Sequence, residues 1–135
     1  MALSKKLHDY QNALQRLEES HTKGLALKDD EAFSFYRDST IQRFEFTLEI
    51  AWKSIKTFLL EVEGIECRSP KSCIRELLST AHLDEAQIQL MLEMVNDRNL
   101  ATHTYHESLA DDIFASIKSY IALFHTLYHE LSKEK

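Results

Sequence analysis

Glycine occurs twice and proline once in 135 residues. So few chain breakers argue against a turn-rich β-sandwich or barrel and favour long uninterrupted helices. No apolar run approaches the length of a membrane span, so none is expected. Lys5 and Lys6 near the N-terminus are followed by no apolar stretch, so Met1–Tyr10 is not expected to be a signal peptide. No glycine-rich phosphate loop is present, which excludes nucleotide binding through a P-loop or Rossmann turn, and no cofactor is expected. The two cysteines, Cys67 and Cys73, make no recognisable framework. A disulfide between them stays open, but a reduced pair in a cytoplasmic protein is the plainer reading.

Hydrophobic residues make up 44% of the chain, enough for one globular core. The length fits a single domain, 1–135. Charge is unevenly spread. Residues 1–75 carry 12 Lys/Arg and 12 Asp/Glu, while residues 76–135 carry 4 and 10, so the net charge of −6 sits wholly in the second part. A protein that tracks a long nucleic acid needs a basic surface. DNA binding is therefore not expected, and any RNA contact should be short and local. An acidic surface equally suits a basic protein partner.

Hydrophobic spacing predicts an all-α, up-and-down bundle of four main helices plus a short one. Leu3, Leu7, Tyr10, Leu14 and Leu17 mark the first helix, with Gly24 as its stop and Leu25 to Phe35 as a connector. The second helix should start near Asp38 or Ser39. It carries Ile41, Phe44, Leu48, Ala51, Ile55, Phe58 and Val62 in one stripe, widened by Phe46, Ile50, Trp52 and Leu59, and ends at Gly64. Ser69-Pro70 reads as a cap followed by proline at the first position of a short helix that buries Ile74, Leu77, Leu78 and Ala81. Asp84 and Gln87 resemble a capping box for the fourth helix, which buries Ile88, Met91, Leu92 and Val95. The last helix should begin near Ser108 with two seams. One is Ile113, Ile117, Tyr120, Phe124, Leu127 and Leu131; the other is Ala110, Phe114, Ile121 and Tyr128. The second seam serves either a dimer interface or a wide intramolecular core.

The chemistry concentrates in Arg98-Asn99-Leu100-Ala101-Thr102-His103-Thr104-Tyr105. Arginine holds a phosphate through a planar fork of donors, and histidine exchanges protons near neutral pH. Together they can cleave a phosphodiester without a metal. Five positions on a continuous helix separate two side chains by about 140°. Convergence of Arg98 and His103 therefore requires the helix to end between them, near Ala101, with His103 and Tyr105 on or just after the turn. Asn99 continues the line Ile88, Leu92, Val95, where it is either a site amide or a helix cap. Arg98 by itself reads as a surface ion-pair partner of Glu93 or of neighbours of Asp97, and His103 by itself as a structural histidine. His103-x-x-His106 and His125-x3-His129 invite a metal reading, but no cysteine lies near and the metalloprotease glutamate is missing, so no metal is expected. Asp111-Asp112 and Asp29-Asp30-Glu31 read as helix N-terminal acids.

The spelling Arg98-x4-His103-x-Tyr105 resembles the motif of the HEPN ribonuclease toxins that pair with MNT-type nucleotidyltransferase antitoxins. Ile41-Gln42-Arg43-Phe44-Glu45-Phe46, with Glu49, Trp52 and Lys53, is similar to the central helix of the HEPN subgroup described as nucleotidyltransferase substrate-binding proteins. The resemblance covers roughly residues 33–131. It implies a metal-independent endoribonuclease acting as a homodimer. His103 would help take the 2′-hydroxyl proton, Arg98 would bind the scissile phosphate, and Asn99 would support it. Gln42, Glu45 and Glu49 are candidate supporting residues along one polar edge of the central helix. Tyr105 would receive AMP from the partner transferase, whose charge and bulk would oppose RNA binding. The subgroup's description implies another function, a non-catalytic subunit presenting a nucleotide or other substrate to a separate nucleotidyltransferase. A helical interaction module without chemistry would leave Arg98 pointing to solvent.

Overall fold

The structure is a computed structural model that describes residues 2–103 and 106–133, and of His103 the backbone alone. Five α-helices follow in order: α1 (Ala2–Ala26), α2 (Phe33–Phe58), α3 (Pro70–Ser79), α4 (Glu85–His103) and α5 (Glu107–Lys133). A π-helical turn, Leu59–Glu63, continues α2. No helix among the described residues is long and apolar enough to cross a membrane. The four long helices form an up-and-down bundle with α3 as the short fifth, as the spacing predicts.

Local chemistry sets several boundaries. Gly64 ends the second helix in the left-handed conformation, φ 69°, which costs a glycine little. Ser69 caps α3 by accepting from the Ser72 amide, ahead of Pro70. Asp84 and Gln87 exchange side-chain and backbone hydrogen bonds at 2.8 and 2.9 Å, a complete capping box for α4. Elsewhere tertiary packing overrules the signals. Gly24 does not stop α1; it lies inside the helix, and a Cβ there would come within 2.9 Å of the Phe114 ring. The glycine lets α5 approach. The second helix begins at Phe33, not Asp38 or Ser39, because Asp30 closes the turn before it, accepting from the Ala32 and Phe33 amides. Asp38 and Ser39 instead contact Arg37 and Ser20.

The core runs the length of the bundle. Every apolar residue named for α1 is buried, as is the α2 stripe except Val62. Phe46, named as widening that stripe, is exposed, as is Leu78 of α3. Ala81 lies beyond α3, exposed and with φ 61°. Tyr10, fully buried, donates to the Phe124 carbonyl. Phe44 stacks on Tyr120 at 5.3 Å between ring centres. Both α5 seams serve the chain itself: Phe114 meets His21 and Phe33, and Tyr128 meets Tyr10 edge-on. The wide-core reading therefore accounts for the second seam.

Three buried hydroxyls, Thr40, Thr47 and Ser54, recur every seven residues on α2. Each donates to the carbonyl four residues back, on Tyr36, Arg43 and Ile50. Self-satisfied hydroxyls of this size add little bulk and leave no polar debt in the core. Thr47 also reaches the Ala13 carbonyl of α1 at 3.3 Å. Cys67 and Cys73 form a disulfide that ties the α2–α3 connector to α3. The expected reduced pair is thus replaced by a bond, because the cap at Ser69 folds the connector back onto the first turn of α3.

Candidate functional site

The site takes shape where the C-terminal end of α4 lies antiparallel against the middle of α2. Glu49 and Glu45, one turn apart on α2, meet Arg98 and Thr102, one turn apart on α4. Arg98 Nη2 donates to Glu49 Oε2 at 3.1 Å. The Thr102 hydroxyl shares its proton between Glu45 Oε2 at 3.2 Å and the Arg98 carbonyl at 2.9 Å. Glu49 is held from further directions: Trp52 Nε1 donates to Oε2 at 3.2 Å, and Lys53 Nζ pairs with Oε1 at 3.1 Å. Burial favours the neutral acid, but the bonds from Lys53 and Trp52 and the charges of Lys53 and Arg98 outweigh it. The Glu49 carboxyl is held below its ordinary range. So Gln42, Glu45 and Glu49 do form one polar edge, and Trp52 and Lys53 orient one of its members.

Arg98 is therefore neither a partner of Glu93 nor free in solvent. Its side chain is 35% exposed. Among the described residues its side chain bonds through Nη2 to Glu49 alone, which leaves Nε and Nη1 available to an anion. Asn99 is exposed, not buried in line with Val95. At this end of α4 it is Arg98, Ala101 and Thr102 that turn toward α2 and the core, and Asn99 lies off that face.

Helix α4 does not stop near Ala101. It continues to His103, its last residue, because Thr102 bonds back to the Arg98 carbonyl and across to Glu45 instead of breaking the helix. Positions 98 and 103 thus lie about 140° apart around one helix, with positions 102 and 99 between them. The break that would bring Arg98 and His103 together is absent. Tyr105 lies outside the described residues. His103 is described by its backbone alone, so its meeting with Arg98 is not among the observed contacts.

An open cavity of about 180 Å³ adjoins this edge. Asp38, Ile41, Gln42 and Glu45 of α2, Ala101 of α4, His106, and Leu109, Ala110 and Ile113 of α5 line it. One residue missed by sequence reasoning braces it. Arg37, 2% exposed, donates to Asp38, Glu107 and Asp111 at 2.8 to 3.0 Å, clamping the start of α2 to the start of α5. The bonds to Glu107, and then to Asp111 and Asp38, hold the guanidinium proton more firmly than usual despite burial. The available signal was the pair Glu107 and Asp111, four apart, which reads as ordinary helix N-terminal acids. On the other side of α4, Tyr120 donates to the Asp97 carboxylate. Burial and then that bond push its phenol above its ordinary value.

Residues 5–133 match the model of a protein family described as nucleotidyltransferase substrate binding protein like. The chain belongs to that family. A Thermus thermophilus protein of known crystal structure is 36% identical to this family member, with a TM-score of 0.73 over 86% of this chain and 98% of that one. The fold is also that of an AMPylated Shewanella oneidensis HEPN toxin in complex with an MNT antitoxin. That match has 17% identity and a TM-score of 0.74, over 98% of this chain and 97% of that one. A toxin–antitoxin structure with AMP-PNP matches at 16% identity and a TM-score of 0.72, over 96% and 97%. No curated protein sequence matches this family member significantly. The family and the HEPN fold agree with the resemblance carried by Arg98-x4-His103-x-Tyr105 and by the central helix.

Proposed function

We propose that this chain is a metal-independent endoribonuclease toxin, working as a cytoplasmic homodimer and neutralised by an MNT-type nucleotidyltransferase that AMPylates Tyr105. The observation that carries the reading is Arg98: anchored by one nitrogen to Glu49, with the rest of its fork unbonded among the described residues, three positions before Ala101, which lines an open cavity. On this reading Arg98 binds the scissile phosphate and Asn99, exposed one position on, supports it. His103 takes the proton from the ribose 2′-hydroxyl. The 2′-oxygen then attacks phosphorus, and the 5′-oxygen departs and takes up a proton. The products are a 2′,3′-cyclic phosphate and a 5′-hydroxyl. Arg98 neutralises charge that grows on the phosphoryl oxygens. Because positions 98 and 103 diverge around one helix, the reading assigns the arginine and histidine of one site to different protomers. The neighbouring fold, AMPylated and bound to an MNT antitoxin in the Shewanella protein, supports the partner and the role of Tyr105.

The test incubates the protein and its His103→Ala variant with structured RNA in EDTA. Cleavage by the wild type alone is expected; cleavage by both or by neither removes the nuclease. Mixing with the partner transferase and ATP should add one or more AMP masses to the intact protein, and a Tyr105→Phe variant should stay unmodified.

The family description favours a second reading, a non-catalytic subunit that binds a nucleotide or another substrate for a separate nucleotidyltransferase. It expects no RNA cleavage and a transferase whose activity on a third molecule rises when this chain is added.

A further inference from the structure

Resting on the nuclease reading, we propose that the cavity between α2, α5 and the end of α4 is a nucleobase subsite, and that Glu45 and Gln42 make it prefer guanine. Its walls are apolar: Ile41 and Ile113 are buried, and Ala101 and Leu109 half-buried. Walls of this kind suit the two faces of a planar ring. A volume of about 180 Å³ suits one base, not a longer stretch of nucleic acid. Among the described residues its polar rim carries Gln42, His106 and the carboxylates of Glu45 and Asp38, the latter paired with Arg37. The Glu45 carboxylate, bonded only to the Thr102 hydroxyl among the described residues, disfavours a phosphate and suits a neutral, donor-rich edge. The cation stands close by. Arg98 is three residues before Ala101, about 4.5 Å of helical rise, so one nucleotide can span phosphate and base positions.

The choice of base follows from donor and acceptor count. Glu45 is fixed through Oε2 by Thr102. A carboxylate only accepts, and two parallel N–H groups satisfy it best. Guanine presents two adjacent donors, N1–H and N2–H, on its Watson–Crick edge. Adenine and cytosine offer one such amino group. Uracil offers N3–H between two carbonyls that a carboxylate repels. The Gln42 amide has no hydrogen-bond partner among the described residues and can serve the remaining acceptors of guanine. Bases read this way must be unstacked, which fits a short, local RNA contact.

The four ribonucleoside 3′-monophosphates, titrated calorimetrically into the full chain, test this without needing cleavage. Guanosine monophosphate should bind tightest and uridine monophosphate at least about tenfold more weakly, the discrimination of one bidentate contact. Glu45→Gln keeps an acceptor for Thr102 but loses the second acceptor, and should flatten the preference. Ala101→Leu, which fills the cavity, should weaken all four. Circular dichroism checks that both variants fold. Equal affinities, a preference for adenosine monophosphate, no binding at millimolar concentration, or an unchanged preference in folded Glu45→Gln would each overturn the subsite. RNA cleavage without base preference would remove the subsite and keep the nuclease. Guanine-selective binding without RNA cleavage would do the reverse.

Discussion

Glu49 on α2 reaches Arg98 on α4 through one oxygen while Lys53 occupies the other, so the only arginine of α4 is oriented by its neighbour helix. Both side chains are about one-third exposed (34% and 35%), and an ion pair that open to water adds less than about 1 kcal/mol to stability. On the nuclease reading its value lies in aiming the guanidinium. Glu49→Ala should therefore leave urea unfolding nearly unchanged yet slow RNA cleavage about tenfold, the scale of a displaced positioning group. Glu49→Gln, which still accepts a hydrogen bond from Arg98, should recover most of the rate. A wild-type rate in Glu49→Ala would show that Arg98 needs no such support.

Gly24 offers a case where two effects oppose each other. Alanine gains about 1 kcal/mol of helix propensity over glycine. The added Cβ would meet two ring atoms of Phe114 at 2.9 Å. That ring is wedged against His21 and Phe33, so it cannot swing aside cheaply. Overpacking of this kind costs about 1–3 kcal/mol and should win. Gly24→Ala is expected to lower the unfolding free energy by about 1 kcal/mol in urea titration. A stabilised variant would mean that α5 shifts freely.

The same glycine shows what a single sequence reveals and what it withholds. The caps at Ser69 and Asp84 and the αL stop at Gly64 were legible because each is decided within four residues. The core stripes of α1, α2 and α5 were legible because their period is helical. Gly24 and Arg37 were not, since their reasons lie at Phe114 and at Glu107 and Asp111, about ninety and seventy positions away. The line through Asn99 misled because the end of α4 turns Arg98, Ala101 and Thr102 toward its neighbours instead, which spacing cannot report. In the candidate site, the polar edge Gln42, Glu45, Glu49 was visible, and Arg98 stood out as a candidate residue. The grip of Glu49 on Arg98, and the cavity lined by Glu45 and Ala101, needed the antiparallel register of α2 and α4.

Arg37 should be hard to replace. It is the only described residue that joins Asp38, Glu107 and Asp111, and its fork serves them at once. A lysine is a point charge and cannot span three carboxylates. Those carboxylates are themselves 47% to 72% exposed, so water takes over much of their solvation once the arginine is gone. Arg37→Lys and Arg37→Met should each cost about 1–3 kcal/mol, less than the loss of a fully buried pair. Hydrogen exchange should quicken first at the start of α5. Loss spread evenly over the bundle would contradict a local clamp.

His82 gives stability a pH dependence with a definite sign. Its ring bridges Glu63, at the end of the π-helical turn, and Glu130 of α5 at 3.0 and 2.9 Å. Burial lowers its pKa, but the bonds to Glu130 and Glu63 and their charges outweigh burial, and the net shift is upward. A raised pKa means the folded protein holds this proton more tightly than the unfolded chain. The stabilisation is complete below the unfolded value of about 6.5 and fades as pH rises through the folded value. Glu130 has the opposite dependence. Burial raises its pKa, but its bonds to His82 and Lys133 lower it on balance, so its contribution is lost only as pH falls into the acid range. Urea unfolding should therefore show stability declining from pH 6 to pH 8, and His82→Gln should remove that slope while leaving the acid limb. A decline that persists in the variant would overturn the assignment to His82, and His21 could not supply it, since burial and then the charge of Lys118 lower its pKa and so give a slope of the opposite sign.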